Sequence, residues 1–305
     1  MATTMAAPVN NSIALATRFL PLLDEVYRRE SLTSVLDTAN ERVNFIGAQT
    51  AKIYKVDVDG LGNYSRNAGF VPGSSDGVWE TFTIEKDRGR SFTIDTMDND
   101  ETLGMAMAST LSQFEKQAVI PEVDCYRFAK YAAAAGTTVT ATLTDSDNIP
   151  NLITAAQAAM DDKEVPYEGR ILFVNPTIYG YLKNDITRYV DNSATDINRT
   201  VEMYDTLRVI RVPSGRFNTV CTLAAPTDAS STGGYTAAGV DINFMIVHPS
   251  AVLQVIKHQI PRVFSPEVNQ EADAWKINYR IYHDCWVLAN HTYGIYVHKK
   301  ANATT

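Results

Sequence analysis

Residues 79–118 read WETFTIEKDRGRSFTIDTMDNDETLGMAMASTLSQFEKQA, and along them the apolar period changes from that of a strand to that of a helix. Phe82 and Ile84 share a face, as do Phe92 and Ile94, because alternate side chains of an extended chain point the same way. Leu103, Met107, Leu111, Phe114 and Ala118 then recur at helical spacing. Between the two patterns, Asp98, Asn99, Asp100 and Glu101 offer an N-cap and first-turn acids, which suit free N–H groups and the positive end of a helix. The stretch predicts strands separated by a turn at Asp87, Arg88 and Gly89, followed by one long amphipathic helix.

Upstream, Tyr54, Val56 and Val58 also share a strand face. The intervening DGLGNYSRNAGFVPGSSDG is rich in turn formers and poor in apolar anchors. Such a hairpin is marginal alone, because a two-stranded ribbon buries too little to offset chain entropy, so it is expected to rest on something outside its own subunit. Residues 12–47 keep helical spacing, with Pro21 suited to a first turn, and predict an extended arm with one or two short helices.

Downstream, Pro121 either kinks the long helix or starts a second segment that runs to a stop at Gly136. Residues 137–250 alternate short strands (TTVTATL, RILFVNP, LRVIRV, INFMIVHP) with helices over 150–161 and 177–183, the pattern of an α/β lobe. TDASSTGGYTAAG, residues 227–239, predicts a mobile surface loop, and residues 257–300 are β-patterned and aromatic.

The chain has 305 residues with 45% hydrophobic and 20% charged content, and its mean hydropathy of -0.16 lies in the globular range. Its net charge of -8 argues against tight polyanion binding without a local basic patch. Nothing in it reads as a membrane span or a signal peptide. Cys125, Cys221 and Cys285 are widely spaced, which disfavours a zinc or disulfide scaffold.

His283, Asp284 and Cys285 superficially offer a base, an orienting acid and a nucleophile. On a strand, however, neighbouring side chains face opposite ways, so the three do not converge. The oxygen-rich runs at residues 95–101 and 57–62 lack EF-hand spacing and are read as a helix cap and a turn. No phosphate-binding glycine loop and no GxSxG elbow is present, so no catalytic, cofactor or metal residues are assigned. Lys86, Arg88 and Arg90, set among Glu80, Glu85, Asp87 and Asp95, suit either ion pairing with another protein or a solvated turn.

NYSRNAGFVPGS, WETFTIEKDRGRSFTIDTMDNDET, PEVDCYRFAKYA and INYRIYHDCWVLANHTYGIYVHK, in that order, together resemble the major capsid proteins of tailed bacteriophages. Encapsulins and the herpesvirus capsid floor share that fold. The resemblance implies an α+β chain: an N-terminal arm (1–50), an extended β-hairpin loop (51–97), a peripheral domain with a long spine helix (98–147), an axial α/β domain (148–250), and a return to the peripheral sheet and C-terminus (251–305). By matching segment, Trp79, Phe82, Lys86, Arg88 and Arg90 are subunit-contact residues of the extended loop, with intermolecular partners expected for the two arginines. Leu103, Met107, Leu111 and Phe114 belong to the spine helix, and Tyr279, Trp286 and Tyr293 to the peripheral sheet.

The implied function is non-enzymatic self-assembly into pentamers and hexamers of an icosahedral head around non-specifically contacted dsDNA. Assembly is expected in the bacterial host cytoplasm, and the final location is the virion capsid. Residues 1–11 are too short for a cleaved scaffolding extension, which implies a separate scaffolding protein beside a portal, with room for a decoration protein. Lys86 lacks a recognisable acid and asparagine partner, so non-covalent assembly is expected. Two alternatives stand: an encapsulin-type compartment, told apart by an enzyme cargo, and a cytosolic α/β hydrolase dependent on His283 or Cys285.

Overall fold

Alternating side chains along TAKIYKVDV and SDGVWETFT form an antiparallel hairpin of β1 (Thr50–Val58) and β2 (Ser75–Thr83), in register from Thr50↔Thr83 to Val58↔Ser75. The Tyr54 ring lies across Gly77, where any Cβ would collide with it. The computed structural model describes residues 31–37, 50–67, 69–101, 105–189, 201–226 and 232–302. Most of the expected arm therefore lies outside the described residues; within it, residues 34–37 form one 3₁₀ turn, and Leu36 enters the core.

β3 (Lys86–Asp95) is one unbroken strand, so the turn expected at Asp87, Arg88 and Gly89 falls instead at Ile84 and Glu85. Long-range pairing overrides local turn composition here, since Lys86 to Asp95 pair in register with residues 283 to 274. Gly89 serves that pairing: a Cβ there would come within 2.8 Å of the Tyr279 carbonyl oxygen.

The long helix is divided into α1 (Thr96–Glu101), α2 (Met105–Phe114), a π-helical turn (Glu115–Val119) and α3 (Ile120–Ala133). The expected capping acids Asp98 to Glu101 lie inside α1, and the Asp95 carboxylate accepts from Met97 N–H at its start. Pro121 occupies the first turn of α3, while Ile120 N–H reaches back to the Glu115 carbonyl; the wider turn precedes a residue that has no N–H of its own. Leu103 lies outside the described residues, and Met107 is placed by its backbone in α2.

Beyond α3 come β4 (Thr137–Thr140), α4 (Ile149–Asp161), β5 (Ile171–Val174), α5 (Pro176–Tyr189), β6 (Met203–Tyr204), β7 (Leu207–Arg211), β8 (Asn218–Leu223) and β9 (Tyr235–Val247). β10 (Val252–Phe264), β11 (Ala274–Val287) and β12 (Ile295–Lys299) complete the chain. One sheet has three strands in the order β10-β11-β3; the other has seven, β4-β12-β9-β5-β7-β6 with β8 on β9. The run ILFV of β5 is buried throughout because both faces are covered: Leu172 and Val174 pack with α4 and α5, Ile171 and Phe173 with the cluster around α3. Each such side chain contributes roughly 1.5–3 kcal/mol of transfer free energy.

Two expectations for the second half are corrected. Residues 235–239 of the expected loop are the start of β9, extended by pairing with β8, and residues 227–231 lie outside the described residues. The C-terminus does not stay with the three-stranded sheet. β12 inserts between β4 and β9, where Ile295 and Val297 meet one core cluster and Tyr296 the other. Tyr293 accordingly sits in the 3₁₀ segment Ala289–Gly294, outside any strand. Among the described residues no helix is long and apolar enough to cross a membrane.

Candidate assembly surface

The β1–β2 hairpin presents exposed apolar side chains. Tyr54 and Trp79 are cross-strand partners with ring centroids 5.0 Å apart, yet they are 53% and 58% exposed. Val58 is 68% exposed, and Leu61, Tyr64, Phe70 and Val71 at the tip are exposed too. Tyr64 and Phe70 hold each other at 4.9 Å, and the Asp59 carboxylate accepts from Ser74 N–H at 2.6 Å, so the tip has internal order without burial. Exposed apolar side chains grouped in this way are unusual on a lone subunit.

At its base the hairpin is anchored within the chain. Phe82 is buried against Trp286 of β11, 5.3 Å between centroids, and Ile84 joins Leu253 and Val255 of β10. Trp79 and Phe82, assigned the same role from the sequence, therefore differ: only Trp79 faces outward. Tyr279 and Trp286 both lie in β11, where Tyr279 packs with Phe114 of α2 at 5.5 Å.

The basic residues of β3 turn toward their own subunit. Arg88 donates from Nε and Nη2 to the two oxygens of Glu122 in α3, from Nη1 to the Ala224 carbonyl, and from Nη2 to the Gly234 carbonyl. The partners of Arg88, expected in another molecule, are thus in the same chain, because β3 lies over α3 and the β8–β9 hairpin rather than projecting as a turn. Arg90 Nη1 lies beside Gly233 of that hairpin. Lys86 is 3.7 Å from Glu85 and sits over the Tyr126 ring.

A second hub was not apparent in the sequence. The buried Asp124 carboxylate accepts from Ser31 Oγ (2.9 Å), Leu32 N–H (3.0 Å), Thr33 Oγ1 (2.7 Å), Thr33 N–H (3.3 Å) and Arg216 Nη1 (3.2 Å). Arg127, one helical turn on, donates to Thr33 Oγ1 and pairs with Asp37 at 3.5 Å. Burial raises the Asp37 pKa, partly offset by Arg127. Together they lock residues 31–37 onto α3. The sequence signal was an acid and a base three residues apart, interleaved with Val123, Cys125, Tyr126 and Phe128 on the same helix.

His283, Asp284 and Cys285 are all buried. The Asp284 carboxylate is engaged by Tyr126 Oη (2.8 Å), Glu85 N–H (3.0 Å) and Cys285 N–H (2.8 Å), while neither ring nitrogen of His283 has a hydrogen-bond partner. Burial pushes the Cys285 pKa up to about 12 and that of His283 down to about 4, the reverse of an activated nucleophile and a ready base. Among the described residues no cluster of His, Cys, Asp and Glu is arranged to hold a metal.

A family model described as phage capsid protein matches residues 79–297, and the chain belongs to that family. It is a major capsid protein of the tailed-phage type, as the sequence resemblance implied. The capsid of cyanophage P-SCSP1u is similar in structure, with TM-score 0.67 and 14% identity over 99% of this chain and 100% of that one. The mature capsid of bacteriophage PhiM1 gives 0.67 and 16% over 95% and 93%, and a chain from Mycobacterium phage Che8 gives 0.65 and 16% over 95% and 98%. At such identities the likeness establishes the fold. No curated protein sequence matches the chain.

Proposed function

We propose that copies of this capsid protein close into an icosahedral head as pentamers and hexamers, with the β1–β2 hairpin of each copy laid across a neighbour. The carrying observation is the exposed face of Tyr54, Val56, Val58 and Trp79. A second copy supplies the burial that a lone two-stranded ribbon lacks, and Trp79 is its central anchor. Phe82, Lys86, Arg88 and Arg90 act from behind, fixing the angle at which the hairpin leaves its subunit.

In this reading the three-stranded sheet with α2 and α3 is the peripheral domain and its spine, and the seven-stranded sheet with α4 and α5 is the axial domain. The head forms in the host cytoplasm with a separate scaffolding protein and a portal, encloses dsDNA held without sequence preference, and accepts a decoration protein. The net charge of -8 suits a wall that confines DNA without gripping it. The role is structural, without turnover.

Electron microscopy and sedimentation of the full chain test this. The wild type is expected to form closed shells, and the Tyr54→Asp, Trp79→Asp double variant to remain as folded, unassembled subunits. Shells at normal yield from the double variant would overturn the role of the hairpin.

A further inference from the structure

Two of the three cysteines, far apart in sequence, meet where β8 packs on α3: Cys125 and Cys221 lie close enough for each thiol to act on the other's ionisation. A separate contact fixes their approach. Arg88 grips the Glu122 carboxylate, one helical turn before Cys125, and the Ala224 carbonyl, three residues beyond Cys221, so one guanidinium aligns the two backbones. Cys125 is fully buried, whereas Cys221 is partly exposed at the edge of the main core cluster. Cys285 is apart from this pair, buried beside Tyr131.

We propose that Cys125 and Cys221 form a dithiol that closes to a disulfide, stapling α3 to β8, when the protein meets a low-molecular-weight disulfide. The more exposed Cys221 reacts first. Its thiolate attacks one sulfur of the reagent, the reagent's S–S bond breaks, and one thiolate leaves, giving a mixed disulfide on Cys221. Cys125 then loses its proton to the departed thiolate and attacks the Cys221 sulfur, expelling the second reagent thiolate, which takes a proton from solvent. Two protein thiols are oxidised and one reagent disulfide is reduced to two thiols.

The local chemistry suits this order. The neighbouring Cys125 thiol lowers the Cys221 pKa, against burial and Glu122 and with a smaller contribution from Arg88, while Cys221 and burial raise the pKa of Cys125. The dithiol stays open in a reducing cytoplasm and closes where oxidised thiols accumulate, so the staple is absent while the chain folds and present afterwards. It closes a long loop, the case in which a cross-link restricts the unfolded chain most. This inference does not depend on the hairpin's role in assembly, because both sulfurs belong to one chain.

The full-length protein is treated with oxidised glutathione, denatured, alkylated and mapped by mass spectrometry without reduction. The expected result is a peptide containing Cys125 linked to one containing Cys221, with Cys285 alkylated. A melting midpoint several degrees higher, returned by a reductant and unchanged in Cys285→Ser, is expected alongside; Cys221→Ser should lose both the link and the shift. Full alkylation of Cys125 and Cys221 after the treatment overturns the proposal, as does a persistent glutathione adduct on Cys221 with Cys125 free. If Cys221→Ser fails to fold, the wild-type map decides.

Discussion

Arg88 meets Glu122 with two prongs, Nε to Oε1 at 2.7 Å and Nη2 to Oε2 at 3.1 Å, and so joins an edge strand of the three-stranded sheet to the helix beneath it. Its remaining bonds, to the Ala224 and Gly234 carbonyls, draw in the ends of β8 and β9. One side chain therefore links β3, α3 and the adjoining ends of β8 and β9, beside the core cluster in which residues of both sheets pack together. A planar guanidinium suits this task because its donors diverge in a fixed fork.

Arg88→Ala is expected to destabilise the subunit itself by about 2 kcal/mol. The figure lies below that for a fully buried pair because the two side chains are 22% and 13% exposed. Arg88→Lys should recover little, since a point charge cannot serve a carboxylate and two carbonyls at once. Denaturant unfolding of unassembled chains measures both. A double-mutant cycle with Glu122→Gln should give a coupling of about 1 kcal/mol or more; strictly additive losses would show that the pair is not coupled.

Asp124 presents a sharper case, because its carboxylate is fully buried with five donors around it. Asp124→Ala removes one acceptor of Arg216 and the acceptor of the N–H groups of residues 32 and 33, and a loss of about 3–5 kcal/mol is expected. The release should be local first: limited proteolysis is expected to cut within residues 31–37 of the variant under conditions that spare the wild type. Unchanged cleavage there would mean that the segment is held by Leu36 in the core instead.

What the sequence made legible, and what it hid, follows from the range of the interactions involved. The alternation around Phe82, and that of Phe92 and Ile94, is a local signal and predicted strands that exist, although Ile84, expected on the strand face of Phe82, falls in the turn between them. Asp87, Arg88 and Gly89 are also a local signal, for a turn, but their partners at residues 280–282 lie far along the chain and make them a strand. Placing β12 in the larger sheet required knowing that a gap existed between β4 and β9. The burial of Asp124 and Arg127 was not legible locally, because their compensating groups come from residues 31–37 and 216. Strand geometry set aside the three residues from His283 to Cys285 as a triad, but it gave no sign of their complete burial.

Trp79 and Phe82 lie three residues apart on β2 and should separate folding from assembly. Phe82→Ala removes a buried ring from its contact with Trp286, and subunit stability is expected to fall by about 3 kcal/mol or more. Trp79→Ala, at an exposed position, should change the stability of an unassembled subunit by no more than about 0.5 kcal/mol. Its effect should appear in the yield or melting of particles. Equal losses of subunit stability in both variants would contradict the asymmetry.

His283 makes subunit stability depend on pH, with a sign fixed by its burial. Its ordinary value of 6.5 falls to about 4 in the folded chain, first through desolvation and then through the nearby charges of Arg127, Arg88 and Lys86. Above pH 6.5 the ring is neutral in both states and adds no pH dependence. As the pH falls from 6.5 toward 4 the unfolded chain takes up a proton that the folded chain refuses, so stability drops, by about 3 kcal/mol when the interval is complete. A His283→Leu variant keeps every other ionisable group of the chain. The difference between wild type and His283→Leu therefore isolates the imidazole. Urea midpoints of the two proteins should have different pH slopes between 6.5 and 4 and parallel ones above, and parallel slopes throughout would show that the ring is not the titrating group.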